Sequence, residues 1–590
     1  MSKLIQVFNK HIVANLDKKL SRKTEMRPDI FQQPIIERLG GSSGEHIFAD
    51  AVAGSGKSSL IEMACGVIEP QNRTEVRTSH SHGVKALSKN KRIKFPPQSG
   101  DYKYANIIEE LCDDMFPKKK DSFKAGKELR EVVSFAMQTL VDTDDETAMW
   151  KMIDDYGIEL TYPEALPLVK KAINKGIQDF DRYGNIGFID MIYLPIALDL
   201  EMEQFDFVLA DEAQDYNALQ LELSKRSLKP NGSCLYVGDP FQSCYGFMGA
   251  LPDSCGRIIR EMNCIKMPLS YCYRCPTSHL DLARKIVPHV ENAPNAKEGI
   301  VEYTGPDKLH EIVTNHSMIL CRFTAPLIKN CIRLISKGIP ATVKGSDIGR
   351  SIVSVVRACE DMEGGTSIHS LVETLSSYRQ EQYERLSKKK NNEVQVEAMY
   401  DKVDAVRACF DAIKPRSFDE LSKYIETLFS DKDSIITLST IHRAKGLEAD
   451  HVIILNGDKC KLPVMFKAAL PWQQQQERNI HYVALTRSKN RLTIIGDESI
   501  NYENSDAKLE AGVQLTEKPQ EVIKVKSIND SWAKTYDERI ISKPKKKAIT
   551  RKKKETITDS KKFEILDDLK QIKLERPAKP AMFNDDEEDE

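Results

Sequence analysis

The chain has 590 residues, of which 41% are hydrophobic, so it can form more than one buried core. Lys and Arg number 86 against 88 Asp and Glu, and the formal net charge of −2 excludes a uniformly basic protein but not a local basic groove for nucleic acid. No apolar run is long enough to span a bilayer, the N-terminus lacks a signal-peptide core, and the 13 Cys residues are scattered, so we expect a cytoplasmic protein without a membrane segment.

Both halves of the chain alternate short apolar runs with amphipathic stretches, a rhythm typical of parallel sheets covered by helices. In each half a polar, mainly helical stretch interrupts the alternation, at residues 86–178 and 355–430. This pattern predicts an α/β protein with two sheets, each carrying a helical insertion. The predicted strands are Leu4–Phe8, His46–Ala49, Phe205–Ala210, Ser233–Val237, Ser317–Cys321, Ser434–Leu438, His451–Leu455 and Arg491–Ile495.

The composition changes after about residue 505. A basic block occupies residues 543–554, and the chain ends in the acidic block 585–590. Opposed charge blocks with few apolar residues cannot build a core. We therefore expect residues 506–590 to form a disordered tail, either merely solvated or serving as a basic arm for phosphates with an acidic hook for a protein partner.

The Cys residues include one C-x-x-C pair, Cys272 and Cys275. A structural zinc site needs a second pair of Cys or His residues at a suitable spacing. No such pair follows, so the pattern disfavours metal binding here.

A Gly-rich stretch, AVAGSGKS at residues 51–58, lies between a predicted strand and a predicted helix. Its glycines allow backbone N–H groups to wrap phosphates, and the helix N-terminus adds partial positive charge. The strict P-loop pattern starts with Gly where this chain has Ala51, but G-K-S in this setting still predicts contact of Lys57 with the β- and γ-phosphates and of Ser58 with Mg²⁺. The predicted nucleotide-binding residues are Gly54, Ser55, Gly56, Lys57, Ser58 and Ser59.

A second apolar strand ends in the acids DEAQD at residues 211–215. Sheets of this class bind their ligands at the carboxyl ends of the strands. Asp211 would hold Mg²⁺ together with Ser58, and Glu212 would polarise the attacking water. The two motifs together predict a protein that hydrolyses ATP with Mg²⁺.

These motifs and several others resemble superfamily 1 helicases of the UvrD/Rep/PcrA type, from the N-terminus to about residue 500. The further matching stretches are FQQPII at 31–36, TSHSHG at 78–83, VGDPFQSCYGFMGA at 237–250, LSYCYRCP at 269–276, STIHRAKGLE at 439–448 and ERNIHYVALTR at 477–487. The resemblance implies two RecA-like P-loop domains. Their predicted boundaries are 1–85 and 179–260 for the first, with insertion 86–178, and 261–354 and 431–505 for the second, with insertion 355–430.

The resemblance also assigns contacts to the nucleoside. The amide of Gln32 would read the adenine edge, with Gln33 as the alternative. Tyr273 would pack on the adenine, and Glu448 would hold the ribose.

Three further residues are assigned to the γ-phosphate by the resemblance. Gln242 would sense it from the first domain, while Arg274 and Arg487 would reach it from the second. A phosphate clamped between two domains can report their closure, so ATP would draw the domains together and hydrolysis would release them.

Nucleic-acid contacts follow from the same resemblance. Phe247 would stack on bases, with Tyr245 nearby, because stacking tolerates any base and therefore suits a translocating motor. The alternative is that both are core aromatics. The other residues assigned to the strand are Thr78, His80, Ser81, Thr440 and His442.

One motif is missing from its expected place. The family has a strand ending in an F-N-K-like turn after the P-loop helix, whereas here the N-terminal strand Leu4–Phe8 is followed by Asn9 and Lys10. We hypothesise that this segment docks as the missing strand beside the P-loop strand, so that Phe8, Asn9 and Lys10 contact nucleic acid. The alternative is an amphipathic leader that packs elsewhere.

The sequence predicts an ATP-dependent DNA helicase or translocase that binds single-stranded and duplex DNA, and the resemblance implies 3′→5′ movement. Stacking and phosphate contacts do not distinguish DNA from RNA. One alternative is a translocase that strips proteins without processive unwinding. Another is a scaffold that uses ATP only as a switch, against which Arg274, Arg487 and Phe247 argue.

Overall fold

A computed structural model gives the architecture of the chain. The structure describes residues 4–8, 27–41, 44–68, 73–90, 92–96, 101–244, 253–362, 367–387, 392–429, 435–457, 460–464 and 471–496. The predicted tail and the predicted nucleic-acid residues Asn9, Lys10, Tyr245 and Phe247 lie outside these ranges.

The first half contains a six-stranded sheet whose pairings are all parallel. Its central strands are almost wholly buried, as expected where helices cover both faces. The strands are β1 Leu4–Phe8, β2 His46–Ala51, β3 Arg73–Arg77, β4 Phe205–Ala210, β5 Leu228–Gly238 and β6 Ile265–Leu269, in the order β3-β1-β4-β5-β2-β6.

Helices flank this sheet and build the insertion between β3 and β4. Those of the insertion are amphipathic and bury one apolar face each, as in the helix Pro167–Tyr183, where the buried residues recur at helical spacing. The helices are α1 Gln32–Gly41, α2 Lys57–Ile68, α3 Ser79–Asn90, α4 Lys103–Met115, α5 Lys119–Thr139, α6 Glu146–Tyr156, α7 Pro167–Tyr183, α8 Asp190–Ala197, α9 Ala218–Arg226 and α10 Ser254–Met262.

The second half contains another six-stranded parallel sheet. Its strands are β9 Ile300–Thr304, β10 Met318–Cys321, β11 Ala341–Val343, β12 Ile436–Thr440, β13 Ala449–Asn456 and β14 Ser488–Gly496, in the order β11-β12-β10-β13-β14-β9, while β7 Tyr271–Cys272 pairs separately with β8 Glu291–Asn292. The helices are α11 Thr277–Ala283, α12 Leu309–Ile312, α13 Thr324–Ser336, α14 Ser346–Met362, α15 Leu371–Ser387, α16 Glu393–Ile413, α17 Phe418–Leu428 and α18 Pro471–Leu485.

The N-terminal segment forms a strand of the first sheet, which confirms that part of the hypothesis. Its neighbours are β3 and β4, so the prediction that it lies beside the P-loop strand β2 is wrong. Both sides of β2 are already paired, with β5 and β6. The register aligns Phe8 with Arg77 and with Ala210, so β1 ends level with the residues that precede Thr78 and Asp211.

One predicted domain boundary also differs from the structure. Strand β6 pairs with β2, so the first sheet continues to Leu269, although the sequence placed residues from 261 in the second domain. The short run Ile265–Leu269 is only partly buried and contains Pro268, which suits an edge strand and gives no strong apolar signal.

Within the described ranges, no helix is both long and apolar enough to cross a bilayer.

Candidate functional site

The loop between β2 and α2 adopts the shape that its glycines permit. Gly54 and Gly56 have φ angles of 68° and 78°, in the left-handed region that favours glycine. A Cβ at Gly54 would lie 2.7 Å from Cβ of Arg274, so no larger residue fits. Ser55 Oγ is buried and has no hydrogen-bond partner among the described residues. The loop therefore offers an unmet donor where a phosphate oxygen could accept.

Ser58 and Asp211 meet across the end of the sheet. The Ser58 hydroxyl donates to Oδ2 of Asp211 at 3.5 Å, and the carboxylate is largely buried. A hydroxyl and a carboxylate are hard oxygen ligands of the kind that Mg²⁺ prefers, so this pair fits the predicted metal.

Glu212 follows with an unusual backbone conformation. Its φ of 53° and ψ of 40° are left-handed, which a non-glycine residue adopts only at a cost of order 1–3 kcal/mol. The Gln214 side-chain amide donates to the Glu212 carboxylate, and the backbone N–H of Glu212 donates to Asp211 Oδ1 at 2.9 Å. These hydrogen bonds hold the strained turn, with its two acids, at the carboxyl end of β4.

A buried chain of amides leads from this turn to Gln242. The Asp239 N–H donates to Oε1 of Gln214 at 2.9 Å, and Nε2 of Gln242 donates to Oδ2 of Asp239 at 2.6 Å. Burial raises the pKa of Asp239 to about 6, against the opposing effect of the Lys57 charge. These bonds orient the Gln242 amide so that its oxygen faces the second sheet.

Arg487, which precedes β14 in the second sheet, completes that chain. It is only 1% exposed, and its Nη2 donates to Oε1 of Gln242 at 3.2 Å. Its other hydrogen bonds within the described residues are to carbonyl or hydroxyl oxygens of Val483, Leu447 and Thr486. Burial, and then repulsion from Arg274, lowers the pKa of Arg487 to about 10, so it stays charged at neutral pH. A buried cation hydrogen-bonded to uncharged oxygens is suited to receive an anion.

Arg274 lies against the phosphate loop from another direction. The N–H of Tyr273 donates to the carbonyl of Gly54 at 2.9 Å, which fixes the position of the arginine beside the loop. Nε of Arg274 donates to Glu448 at 2.7 Å, and Nη1 of Arg274 donates to the carbonyl of Thr486 at 3.3 Å. Glu448, predicted to hold the ribose, thus pairs with Arg274 and also with Lys489 at 2.7 Å.

The geometry distinguishes the two glutamines proposed for adenine. Gln32 is buried, and its Nε2 would lie 3.1 Å from a Cβ at Gly56, whereas Gln33 bonds Glu37 on the surface. Asp29 links the predicted adenine residues, because its N–H donates to Gln32 and its carboxylate accepts from Tyr273 at 2.5 Å. The Tyr273 ring is 51% exposed, which leaves a face for a planar base.

Two contacts between the halves were not foreseen from the sequence. Lys445 pairs with Asp215 at 2.6 Å, and the Tyr482 hydroxyl accepts from the N–H of Ala53 at 2.9 Å. Burial would lower the pKa of Lys445, but Asp215 and Glu212 raise it above its ordinary value. All these residues stand within the quoted motifs, but residue type alone does not reveal a partner in the other half.

The Lys445–Asp215 pair provides a first prediction. Lys445→Met should lower the free energy of unfolding by roughly 3 kcal/mol, because it removes the cation that pairs with a carboxylate that is three-quarters buried. Thermal unfolding of the variant would measure the loss. The double variant Lys445→Met, Asp215→Asn should recover part of it, and equal stability of wild type and Lys445→Met would contradict the assignment.

The predicted nucleic-acid residues occupy two places. Thr78 caps α3 by accepting from the N–H of Ser81 at 3.1 Å, and the side chains of His80 and Ser81 are exposed. Thr440 and His442 line a cleft of about 330 Å³ in the second half. Burial, and then the charge of Arg322, lowers the pKa of His442 to about 3, so this imidazole is neutral at physiological pH.

The structure therefore brings the predicted nucleotide residues of both halves around one loop. Comparison with protein families gives two matches along the chain. The UvrD/REP helicase N-terminal domain matches residues 62–262, and the UvrD-like helicase C-terminal domain matches residues 350–499. The chain belongs to the UvrD-like helicase family.

Individual relatives of this UvrD-like chain are distant. The F-box DNA helicase protein 1 of Schizosaccharomyces pombe is 26% identical, over 78% of this chain and 57% of its own length. DNA helicase II of Haemophilus influenzae is 22% identical, over 54% of this chain and 60% of its own length. This chain thus spans less than two thirds of either relative. A solved arterivirus nonstructural protein 10 helicase with DNA has a TM-score of only 0.22 at 14% identity, covering 51% of this chain and 41% of its own.

Proposed function

We propose that this UvrD-like chain is an ATP-dependent DNA helicase that moves on single-stranded DNA, with ATP hydrolysed between two RecA-like domains. The observation that carries the proposal is the buried connection from Asp239 through Gln242 to Arg487, which joins the phosphate side of the first sheet to the second. A connection of this kind lets one group sense both the nucleotide and the position of the other half.

The residues at the loop fit ATP with Mg²⁺. Bound Mg²⁺ would neutralise charge on the phosphates, and Ser58 and Asp211 are the side chains that would hold it. Lys57 supplies a positive charge from the first turn of α2, and Glu212 orients and deprotonates the attacking water. Arg274 and Arg487 stabilise the charge that develops on the transferred phosphoryl group.

Movement follows from the same arrangement. Arg487 has a buried positive charge, so a γ-phosphate between the sheets gives it an anionic partner and draws the halves together. Hydrolysis and phosphate release remove that attraction and allow the halves to separate. Alternating closure advances the strand if the two halves grip it in turn, as the positions of His80 and Ser81 in one half and Thr440 and His442 in the other would allow.

Unwinding of duplexes with a 3′ tail, a 5′ tail or blunt ends tests the proposal. We expect ATP hydrolysis to rise strongly with single-stranded DNA and unwinding to require the 3′ tail. Stimulation without unwinding, together with removal of a protein roadblock, would replace the helicase by a protein-stripping translocase. The absence of any stimulation by single strands would leave only an ATP switch and overturn the proposal. A matching single-stranded RNA added in parallel decides the nucleic-acid class.

A stacking role for Phe247 stays a prediction from the sequence. Phe247→Ala should preserve ATP hydrolysis but slow unwinding, because base–aromatic stacking contributes roughly 1–3 kcal/mol per base. Parallel measurement of hydrolysis and strand displacement gives the number of ATP molecules consumed per base pair opened. An unwinding rate equal to that of the wild type would refute the stacking role. Phe123→Ala, an exposed aromatic on α5 outside the motifs, serves as the control.

A further inference from the structure

Two thiols bracket the residues that contact the phosphate loop from the second half. Cys272 ends strand β7, and Cys275 lies just before α11, with Tyr273 and Arg274 between them. The N–H of Cys275 donates to Sγ of Cys272 at 3.4 Å, so the Cys272 sulfur lies against Cys275. The two side chains are therefore in contact.

The pair touches both halves of the nucleotide site. Cys272 Sγ would lie 3.1 Å from a Cβ at Gly54, so the sulfur packs against the phosphate loop. Cys275 Sγ donates to the carbonyl of Thr486 at 3.5 Å, and Arg274 donates to that same carbonyl. A change in the bonding of the two sulfurs is therefore expected to move Arg274.

The environment of this pair favours a thiolate at Cys272. Interaction with the Cys275 side chain lowers the pKa of Cys272, and the backbone N–H groups and the Arg274 charge add to this against the effect of burial. A lowered pKa makes a thiol a better nucleophile at neutral pH. Cys321, which contacts Cys460, behaves oppositely because burial raises its pKa well above the ordinary value.

A metal site is a poor explanation for the pair. Within the described residues, no three His, Cys, Asp or Glu side chains are grouped to hold a metal ion. A structural zinc ion takes four ligands, and this site offers two thiols and backbone atoms. Two thiols in contact, one of them activated, instead have the arrangement of a dithiol that closes to a disulfide.

We propose that Cys272 and Cys275 form a reversible disulfide with a low-molecular-weight disulfide as the oxidant, and that this disulfide slows ATP turnover. The Cys272 thiolate attacks one sulfur of oxidised glutathione, which forms a mixed disulfide and releases one glutathione. The Cys275 thiolate then attacks the Cys272 sulfur of the mixed disulfide and releases the second glutathione. Two electrons pass to the oxidant, and the two thiol protons leave with the two glutathione molecules.

The disulfide disturbs the arginine through the short chain between the sulfurs. A covalent bond brings the sulfurs closer than a contact does, so the backbone of Tyr273 and Arg274 must adjust. The bond also removes the thiol hydrogen that Cys275 donates to Thr486. Arg274 then shifts against Gly54, and misplacement of about 1 Å at a reacting centre can cost roughly 100-fold in rate.

Access to the sulfurs is controlled by the seam, which is the contact between the first and second halves of the chain. Cys272 and Cys275 are 0% and 3% exposed, covered on one side by Gly54 and on the other by Thr486. These covers belong to opposite halves, so separation of the halves uncovers the pair. We therefore expect the Cys272–Cys275 pair to be oxidised when no nucleotide holds the two halves together.

The test treats the full chain, free of nucleotide, with oxidised glutathione, then maps disulfides by differential alkylation and mass spectrometry and measures ATP hydrolysis. We expect a Cys272–Cys275 disulfide, a fall of roughly 10- to 100-fold in the hydrolysis rate, and recovery on addition of dithiothreitol. The disulfide map is independent of activity. If the reduced protein hydrolyses no ATP, the proposed function fails, while the map still decides whether the pair closes.

Variants separate this pair from the other cysteines. Cys275→Ser, and Cys275→Ala should the first fold poorly, are expected to make the hydrolysis rate insensitive to the oxidant. Cys460→Ser breaks the contact between Cys321 and Cys460, and its hydrolysis rate should remain as sensitive to the oxidant as that of the wild type. The proposal is overturned if the map shows no Cys272–Cys275 bond, if the bond forms without slowing hydrolysis, or if Cys275→Ser is slowed as much as the wild type.

Discussion

Replacing Arg487 by Ala is expected to lower the kcat for ATP hydrolysis by about 10³-fold while nucleotide still binds. Arg487 carries its charge in the second half of the chain, and it donates to Gln242 of the first half, which is bonded in turn to Asp239. An arginine in this position stabilises charge that appears only in the transition state, so its loss affects the chemical step more than ground-state binding.

The measurement is kcat at saturating ATP and DNA, with affinity for a fluorescent ATP analogue measured in parallel. Arg487 is fully buried, so thermal unfolding must show that the variant folds. Arg491→Ala is the matched control, since Arg491 lies in β14, just after Arg487, and its partly exposed side chain pairs with Glu302 at 2.6 Å. Loss of that pair should cost less than about 1 kcal/mol and leave kcat nearly unchanged. A folded Arg487→Ala variant with kcat within tenfold of the wild type would exclude the assigned role.

The strands predicted from sequence and those missed differ in a consistent way. Each predicted strand lies in a described strand or overlaps one, and all of these are interior strands of their sheets. The strands missed in the two six-stranded sheets, β3, β6, β9 and β11, are the four edges of those sheets, and the two-residue strands β7 and β8 of the separate pair were missed as well. An interior strand is covered on both faces and therefore gives a continuous apolar run, whereas an edge strand such as β3, Arg-Thr-Glu-Val-Arg, gives no such signal.

The candidate site shows a similar limit. The sequence predicts Lys57, Asp211, Gln242, Arg274 and Arg487 as site residues, because each stands at a fixed place in a local motif. It did not reveal that Lys445 pairs with Asp215, since the two are 230 positions apart and either residue alone resembles an ordinary surface charge. Pairings across the seam depend on how two sheets dock, and no local pattern contains that information.

The position of β1 was also beyond local reasoning. Its F-N-K ending suggested the right sheet, but the neighbour depended on which strands already occupied both sides of β2. Pairing with β4 places the end of β1 directly beside the Asp211 turn. That arrangement places the end of β1 and the Asp211 turn at the same edge of the sheet.

Replacing Lys57 by Ala should abolish measurable ATP hydrolysis, with a loss of at least roughly 10²- to 10³-fold in kcat, because it removes a cation from the first turn of the helix that faces the phosphates. Unlike Arg487, Lys57 belongs to the loop that holds the ground-state phosphates, so nucleotide affinity should fall as well. Lys266→Ala is the matched control, since that exposed lysine pairs with Asp50 on the neighbouring strand and should leave both quantities near wild type. The two variants therefore differ in a measurable way: Lys57→Ala weakens binding and hydrolysis together, and Arg487→Ala weakens hydrolysis alone. If both variants lost affinity equally, the arginine would act as part of the binding loop, and the seam between the sheets would no longer explain how hydrolysis is coupled to movement.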